Sequence, residues 1–232
     1  MPAWLWTEQL AALSRSFRVA AMDPRGQGES EVPARGYGID RRADDIAEVI
    51  AGYARESQRG VVLVGWSLGA LEALHCIARH GAAGIAGLVL VDSSVGLSPA
   101  PTSSTAFREA LARDRHATMR AFVNELCRKP RPAEEIARLE RDVLRMPLQA
   151  ALDLFPSHLP REHWAGTVEA LTLPLLYAVT PQFAGQAETL RARRPQTRVE
   201  FFESAGHALF LDEPQRFSAM LTAFVQSMPA DK

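Results

Sequence analysis

The chain has 232 residues, of which 47% are hydrophobic and 23% charged, the balance of a globular protein with room for one sizeable α/β domain and an insertion. Its 26 Lys and Arg residues oppose 27 Asp and Glu, leaving a formal charge of −1 and no overall field to attract nucleic acid or an anionic membrane. Two cysteines, Cys76 and Cys127, exclude a disulfide framework and lack a CxxC metal spacing, so no metal is expected. No apolar run approaches membrane-spanning length, and MPAWLWTEQL lacks a basic stretch followed by an apolar one, so the sequence predicts a cytoplasmic chain.

In chain order, FRVAAM (17–22) is the first strand-like run by its β-branched and aromatic content. The turn DPRGQGES follows it. Gly26 and Gly28 there imitate a dinucleotide fingerprint, but the third glycine is absent and no helix opens from the turn, so no nucleotide cofactor is expected. Asp23 is read as the organiser of this turn. Ile39, Ala43, Ile46, Ile50 and Tyr53 then share one face of a helix that Asp40 could cap.

VVLV (61–64) is continuous rather than alternating, as a parallel strand covered on both faces requires. It runs into G-W-S-L-G and then into a helix marked by Leu71, Leu74 and Ala78, with Gly81 as its terminator. Strand, GxSxG and helix in that order are the context of a nucleophile elbow. The small residues Gly65 and Gly69 permit a turn sharp enough to hold Ser67 in a strained conformation with its hydroxyl above the sheet edge. The Leu68 N–H then points at a developing oxyanion, and the new helix adds its positive end. The competing reading is a glycine-rich turn with an incidental serine.

GLVLV (87–91) is a further buried strand and ends in Asp92. Residues 97–164 contain nothing strand-like. They open with the loop LSPAPTSS, read helical through 105–128 and 133–154, and close with FPSHLPREHW, which suggests a helical cap inserted between strands. PLLYAV (174–179) and RVEFF (198–202) resume the strand pattern. The last helix, marked by Phe217, Met220, Leu221, Phe224 and Met228, is entered through Pro214. The alternation predicts an α/β fold with a mostly parallel, doubly wound sheet. Its core is drawn from 1–96 and 165–232, with the cap at 97–164.

A serine hydroxyl needs a base to take its proton, and six histidines are available. His75 and His80 lie on the helix after the elbow, as capping or packing residues. His116, His158 and His163 fall in the insertion, where a lid histidine could touch substrate but a surface role is the expectation. His207 stands apart in ESAGHALFLDEP, directly after the last strand-like run. Its loop reaches the same sheet edge as Ser67, and it is last in the order serine, acid, histidine. The plainer alternative is a loop histidine bonded to local backbone.

FRVAAMDPRGQGES, VVLVGWSLGALEAL and ESAGHALFLDEPQRF resemble the strand-4 turn, the nucleophile elbow and the histidine loop of the α/β-hydrolase superfamily. The GWSLG version is similar to that of the pimeloyl-ester carboxylesterases and their relatives. The resemblance spans nearly the whole chain and lapses in the helical insertion. It implies a cofactor-free serine hydrolase acting on a small-molecule substrate.

The family's usual acid position, in the loop after 174–179, reads AVTPQFAGQAE and holds no carboxylate before Glu188. A known variation places the acid one strand earlier, where this chain has Asp92. Either Asp92 is the triad acid or it caps the following turn through nearby amides. Asp23, Glu203 and Asp212 are weaker candidates. Trp66 either lines the acyl or alcohol pocket or belongs to the core.

The resemblance also implies a strand and a His-Gly loop before residue 1, the loop supplying a second oxyanion N–H. Either the sequence as given starts late, or the strands at 17–22 and 61–64 close up and pair directly over a crippled oxyanion hole. Two functions follow. One is a serine hydrolase cleaving a carboxylic ester of a small or medium-sized compound through Ser67, His207 and Asp92, with Leu68 and Trp66 at the oxyanion and substrate. The other is an impaired relative that binds a ligand without turning it over.

Overall fold

The computed structural model describes residues 1–55, 59–100, 104–156 and 158–228. A 3-10 turn, Ala3–Trp6, leads into α1 (Thr7–Leu13), and α2 is Ile39–Ala54. The next elements are β1 (Val61–Trp66), α3 (Leu68–His80) and β2 (Ile85–Val91). A wholly helical stretch follows, with α4 (Ser104–Arg113), α5 (Arg115–Glu125), α6 (Ala133–Val143), α7 (Leu148–Asp153) and α8 (Arg161–Ala170). The chain ends with β3 (Leu175–Val179), α9 (Ala184–Arg193), β4 (Arg198–Phe201), α10 (Leu209–Asp212) and α11 (Pro214–Gln226). The loop read at 97–104 falls partly outside the described residues.

The strands form one parallel sheet in the order β1-β2-β3-β4. Residues that alternate along β1, β2 and β3 serve the two faces of the sheet, and both are apolar, which is why those runs do not alternate. Leu88, Leu90, Leu175, Tyr177 and Val179 pack in one cluster with Ile39, Ile46, Leu74, Val168 and Leu190 from α2, α3, α8 and α9. Val89, Leu176 and Ala178, on the opposite face, are equally inaccessible. Gly87 has no side chain on that second face, and Phe224 and Met228 from the end of the chain come down onto it.

Contacts divide the chain into two compact units. One, Gly38–Thr102 with Pro156–Glu203 and Phe224–Lys232, carries the whole sheet with α2, α3, α8 and α9. The other, Met1–Tyr37 with Ser103–Phe155 and Ser204–Ala223, has helices as its regular elements, with no strand among its described residues. Its core joins Tyr37, Leu111, Met146, Ala150 and Ala151. The N-terminal turn is fixed within it by stacking of Trp6 on Phe210, with ring centroids 3.9 Å apart, and by a bond from Trp4 Nε1 to the Asp142 carboxylate at 2.7 Å.

Two expectations fail here. Residues 17–22 form no strand, because β-propensity is the tendency to fit a sheet rather than a cause of one, and all four strands come from 61–201. The direct pairing of 17–22 with 61–64 is therefore not what forms among the described residues; β1 pairs with β2. Asp40 does not cap α2 either. Gly38 occupies the N-cap, and Asp40 sits in the first turn, where its charge suits the helix dipole and its carboxylate accepts from His75 Nε2 at 2.7 Å.

Helices α2 and α3 are locked by a buried ion pair, Arg42 Nε to Glu72 Oε1 at 2.5 Å, with both side chains about 5% exposed or less. The same helix α3 buries Cys76, whose thiol desolvation pushes up to about 11. Removing one ion of such a pair leaves the other without compensation. Glu72→Ala is expected to cost about 3–5 kcal/mol in urea unfolding, and the double change Arg42→Met/Glu72→Leu to recover most of it.

Candidate active site

Ser67 joins β1 to α3 with φ 53° and ψ −122°, a conformation that side chains adopt only at a cost. The bend is held from both ends. Ser67 N–H donates to Val91 O at 2.9 Å, and Ala70 N–H donates back to Ser67 O at 3.0 Å. A Cβ at Gly65 would lie 2.8 Å from Ala70 Cα and nearer still to the Gly69 carbonyl, so the first glycine is demanded by close approach of the helix. Gly69 is different: a Cβ there would meet nothing within 4 Å, so close approach does not demand a glycine at that position.

Ser67 occupies the N-cap of α3, the position where a serine ordinarily accepts a bond from the first helical turn. Its side chain makes no such bond. Leu68 is the first residue of α3, so its N–H has no acceptor inside the helix. Trp66, the last residue of β1, is buried at 7% exposure.

Asp92 follows Val91, the register partner of Trp66, so it stands one strand over from Ser67 at the same sheet edge. It is fully buried and also has a positive φ, 43°. Its N–H donates to Ala178 O at 2.8 Å. Its Oδ1 accepts from the backbone N–H of Thr180 at 2.7 Å and from the Thr180 hydroxyl at 2.8 Å. A buried carboxylate requires such donors. Beneath it the Tyr177 hydroxyl donates to Ser93 O at 2.5 Å, and burial first, then the Asp92 charge, raises the Tyr177 pKa well above its ordinary value. Thr180 was not among the residues singled out from sequence, although a lone threonine directly after the apolar run PLLYAV is a legible sign of a polar group at the strand's end.

His207 belongs to the helical unit, in the loop between β4 and α10. Its ring meets Phe122 of α5 edge to face at 6.5 Å between centroids. Ala208 N–H donates to Leu126 O at 2.8 Å, and Gly206 N–H donates to the Asp212 carboxylate at 2.7 Å. Asp212 is thus committed to backbone. Asp23 braces the DPRGQGES turn, accepting from the N–H groups of Ala3 at 2.6 Å and Glu29 at 3.1 Å.

Helix α3 is steadied behind the elbow by a line of side chains. His75 Nε2 donates to Asp40, His75 Nδ1 lies 3.0 Å from His163 Nε2, and the His163 ring stands edge-on to Trp164 at 4.6 Å. The line is satisfied when His163 Nε2–H donates to a neutral His75. His163, expected at the surface, is therefore half-buried and bonded.

Desolvation, and then the proximity of His75, lowers the His163 pKa from its ordinary 6.5. The hydrogen bond from His75 lowers that of Asp40 from 3.8. Both groups bind protons more readily in the unfolded chain, so each contributes stability that falls with acidification. The His163 contribution is present above pH 6.5 and lost below it; that of Asp40 is lost below pH 3.8. The stability advantage of the native chain over His163→Asn is expected to shrink from pH 7.5 to pH 5 in urea titrations.

A parallel α/β sheet whose first strand bends through a strained serine into a helix is the architecture of an α/β hydrolase. The model of the Alpha/beta hydrolase family matches residues 1–220, and the chain belongs to that family. It is similar to a pimeloyl-[acyl-carrier protein] methyl ester esterase of Nitrosomonas europaea, 29% identical over 240 residues, 96% of this chain and 91% of the relative. The protein of the same name from Vibrio atlanticus (strain LGP32) is 26% identical over 244 residues, covering 96% and 89%. Among solved structures, an esterase from Exiguobacterium antarcticum superposes with TM-score 0.81 at 23% identity, covering 97% of this chain and 88% of that one. A bromoperoxidase from Bacillus anthracis superposes with TM-score 0.83 at 20% identity, covering 98% and 88%. The chain is a hydrolase enzyme of this family. No helix among the described residues is long and apolar enough to cross a membrane.

The strain at Ser67 is measurable. Glycine accepts its backbone angles without penalty, so Ser67→Gly is expected to raise the unfolding free energy by about 1 kcal/mol while removing the hydroxyl. Chemical denaturation checks this; an unchanged or lower stability would show that the bend is not strained.

Proposed function

We propose that the protein is a carboxylesterase in which Ser67 is the nucleophile, His207 the general base and Asp92 the acid that orients it. The observation that carries this reading is Ser67 itself: a serine at a helix N-cap, with φ 53°, that declines the capping bond available to it. Strain of that kind persists where function needs a side chain in one place. The neighbouring Asp92 supports it, being buried, strained at φ 43° and fixed at Oδ1 by two donors of Thr180.

In the proposed reaction the Ser67 hydroxyl attacks the ester carbonyl and passes its proton to His207, which delivers it to the departing alcohol. The Leu68 N–H, one of the orphan donors at the start of α3, stabilises the oxyanion. Water, activated by the same imidazole, then hydrolyses the acyl-enzyme. Trp66 borders the substrate. The relatives named as methyl ester esterases support an ester of a small or medium-sized carboxylic acid as the bond cleaved. None of these steps calls on a metal or an organic cofactor. The ligand-binding alternative gains nothing from the comparisons, whose members are named for turnover.

A fluorophosphonate probe tests the assignment. Labelling is expected on Ser67, absent in Ser67→Ala and strongly slowed in His207→Ala. Turnover of a p-nitrophenyl ester should fall on the order of 10³-fold or more in His207→Ala and comparably in Asp92→Asn, with melting temperatures little changed. A folded wild-type protein that takes no label would refute the reading, and Asp92→Asn within a few-fold of wild type would remove Asp92 from it.

A further inference from the structure

Asp212 is 1% exposed and lies five residues after His207 in the short helix α10. Its Oδ2 accepts from Gly206 N–H at 2.7 Å and from Arg128 N–H at 2.9 Å, and its Oδ1 accepts from Lys129 N–H at 2.9 Å. Its own carbonyl accepts from Lys129 Nζ at 2.5 Å. One carboxylate therefore ties the residue before His207 to the turn between α5 and α6. The residue after His207 is tied to the same turn by Ala208 N–H to Leu126 O at 2.8 Å. The two strands of chain pass so close that a Cβ at Gly206 would lie 2.8 Å from Leu126 O and 2.9 Å from Arg128 N. Phe122, one turn before this segment, supplies the ring that meets the imidazole.

Three N–H donors on one buried carboxylate exceed what turn geometry needs. Charge-assisted bonds are about twice as strong as neutral ones, and a catalytic side chain displaced by 1 Å loses about a hundredfold in rate. We infer that Asp212 is a positioning residue for His207, acting through the turn 126–129, so that the helical insertion and the imidazole are held as one piece. This rests on His207 being the base. The turn between α5 and α6 is then part of the mount on which the base stands.

The test compares Asp212→Asn with His207→Ala and with Asp142→Asn, which removes a carboxylate of the same unit bonded to Trp4. With p-nitrophenyl butyrate at 25 °C, and folding checked by circular dichroism, Asp212→Asn is expected to lower kcat 10- to 100-fold with KM within threefold. Asp142→Asn should leave kcat within twofold whatever it does to melting. A folded Asp212→Asn protein with kcat within twofold of wild type would overturn the inference, as would a rise in KM alone. If Asp212→Asn does not fold, amide hydrogen exchange on the wild type decides. Gly206, Arg128 and Lys129 exchanging with one common protection factor supports the coupling, and Arg128 and Lys129 exchanging tenfold or more faster than Gly206 overturns it. His207→Ala separates the two levels. Wild-type turnover there removes the underlying assignment of the base, whereas an inactive His207→Ala beside an unaffected Asp212→Asn removes the positioning role alone.

Discussion

The hydrogen bonds that fasten the carboxyl ends of the parallel strands to one another govern this molecule. Ser67 N–H reaches Val91 O, Asp92 N–H reaches Ala178 O, Thr180 N–H reaches the Asp92 carboxylate, and Phe202 N–H reaches Val179 O. Each strand's exit is thereby set by the next. Parallel strands deliver all their carboxyl ends to one edge, so the polar residues that follow them collect there with positions fixed to the accuracy of the ladder. The apolar faces beneath supply the stability that lets this edge carry unfavourable features.

Two such features are concentrated at neighbouring strand ends. Ser67 and Asp92 are the only non-glycine residues with positive φ among the described residues, and each costs of order 1–3 kcal/mol. Neither would persist on a loop free to relax. Asp92 is held through backbone N–H, side chain and the donors of Thr180, and Ser67 is pinned between β2 and the first turn of α3. The histidine loop answers the same need by other means: there the backbone is fixed by one buried carboxylate and by close packing against Leu126 and Arg128, not by a sheet.

Much of this was legible in the sequence, for reasons that differ from residue to residue. Unbroken apolar runs marked β1, β2 and β3 because a strand covered on both faces has no polar side to show, and β4 was marked by its β-branched and aromatic residues alone. GWSLG marked the bend because Gly65 leaves no room for a side chain. The run at 17–22 misled, since its residues suit a sheet but a strand exists only with a neighbour, and propensity says nothing of neighbours. The role of Asp40 was misplaced by three-dimensional proximity to His75, 35 positions away, which no local pattern encodes. Asp212 was weighed as an acid and is instead a backbone anchor. A carboxylate close in sequence to a histidine suggests a partner for the ring, and only the fold reveals that amides from the insertion claim it.

The two thiols acquire a use from where they lie. Cys76 sits inside α3 of the sheet-bearing unit, and Cys127 sits in the turn beside the histidine loop of the helical unit. Burial pushes both up to about 11, so near neutral pH each is protonated and slow towards alkylating reagents, but Cys76 is buried whereas Cys127 is partly exposed. Cys76 is therefore a built-in clock for the sheet-bearing unit, started by the opening of the surroundings of α3. Its rate of alkylation, read by mass spectrometry beside that of the more accessible Cys127, reports the loosening of that unit without altering a single residue.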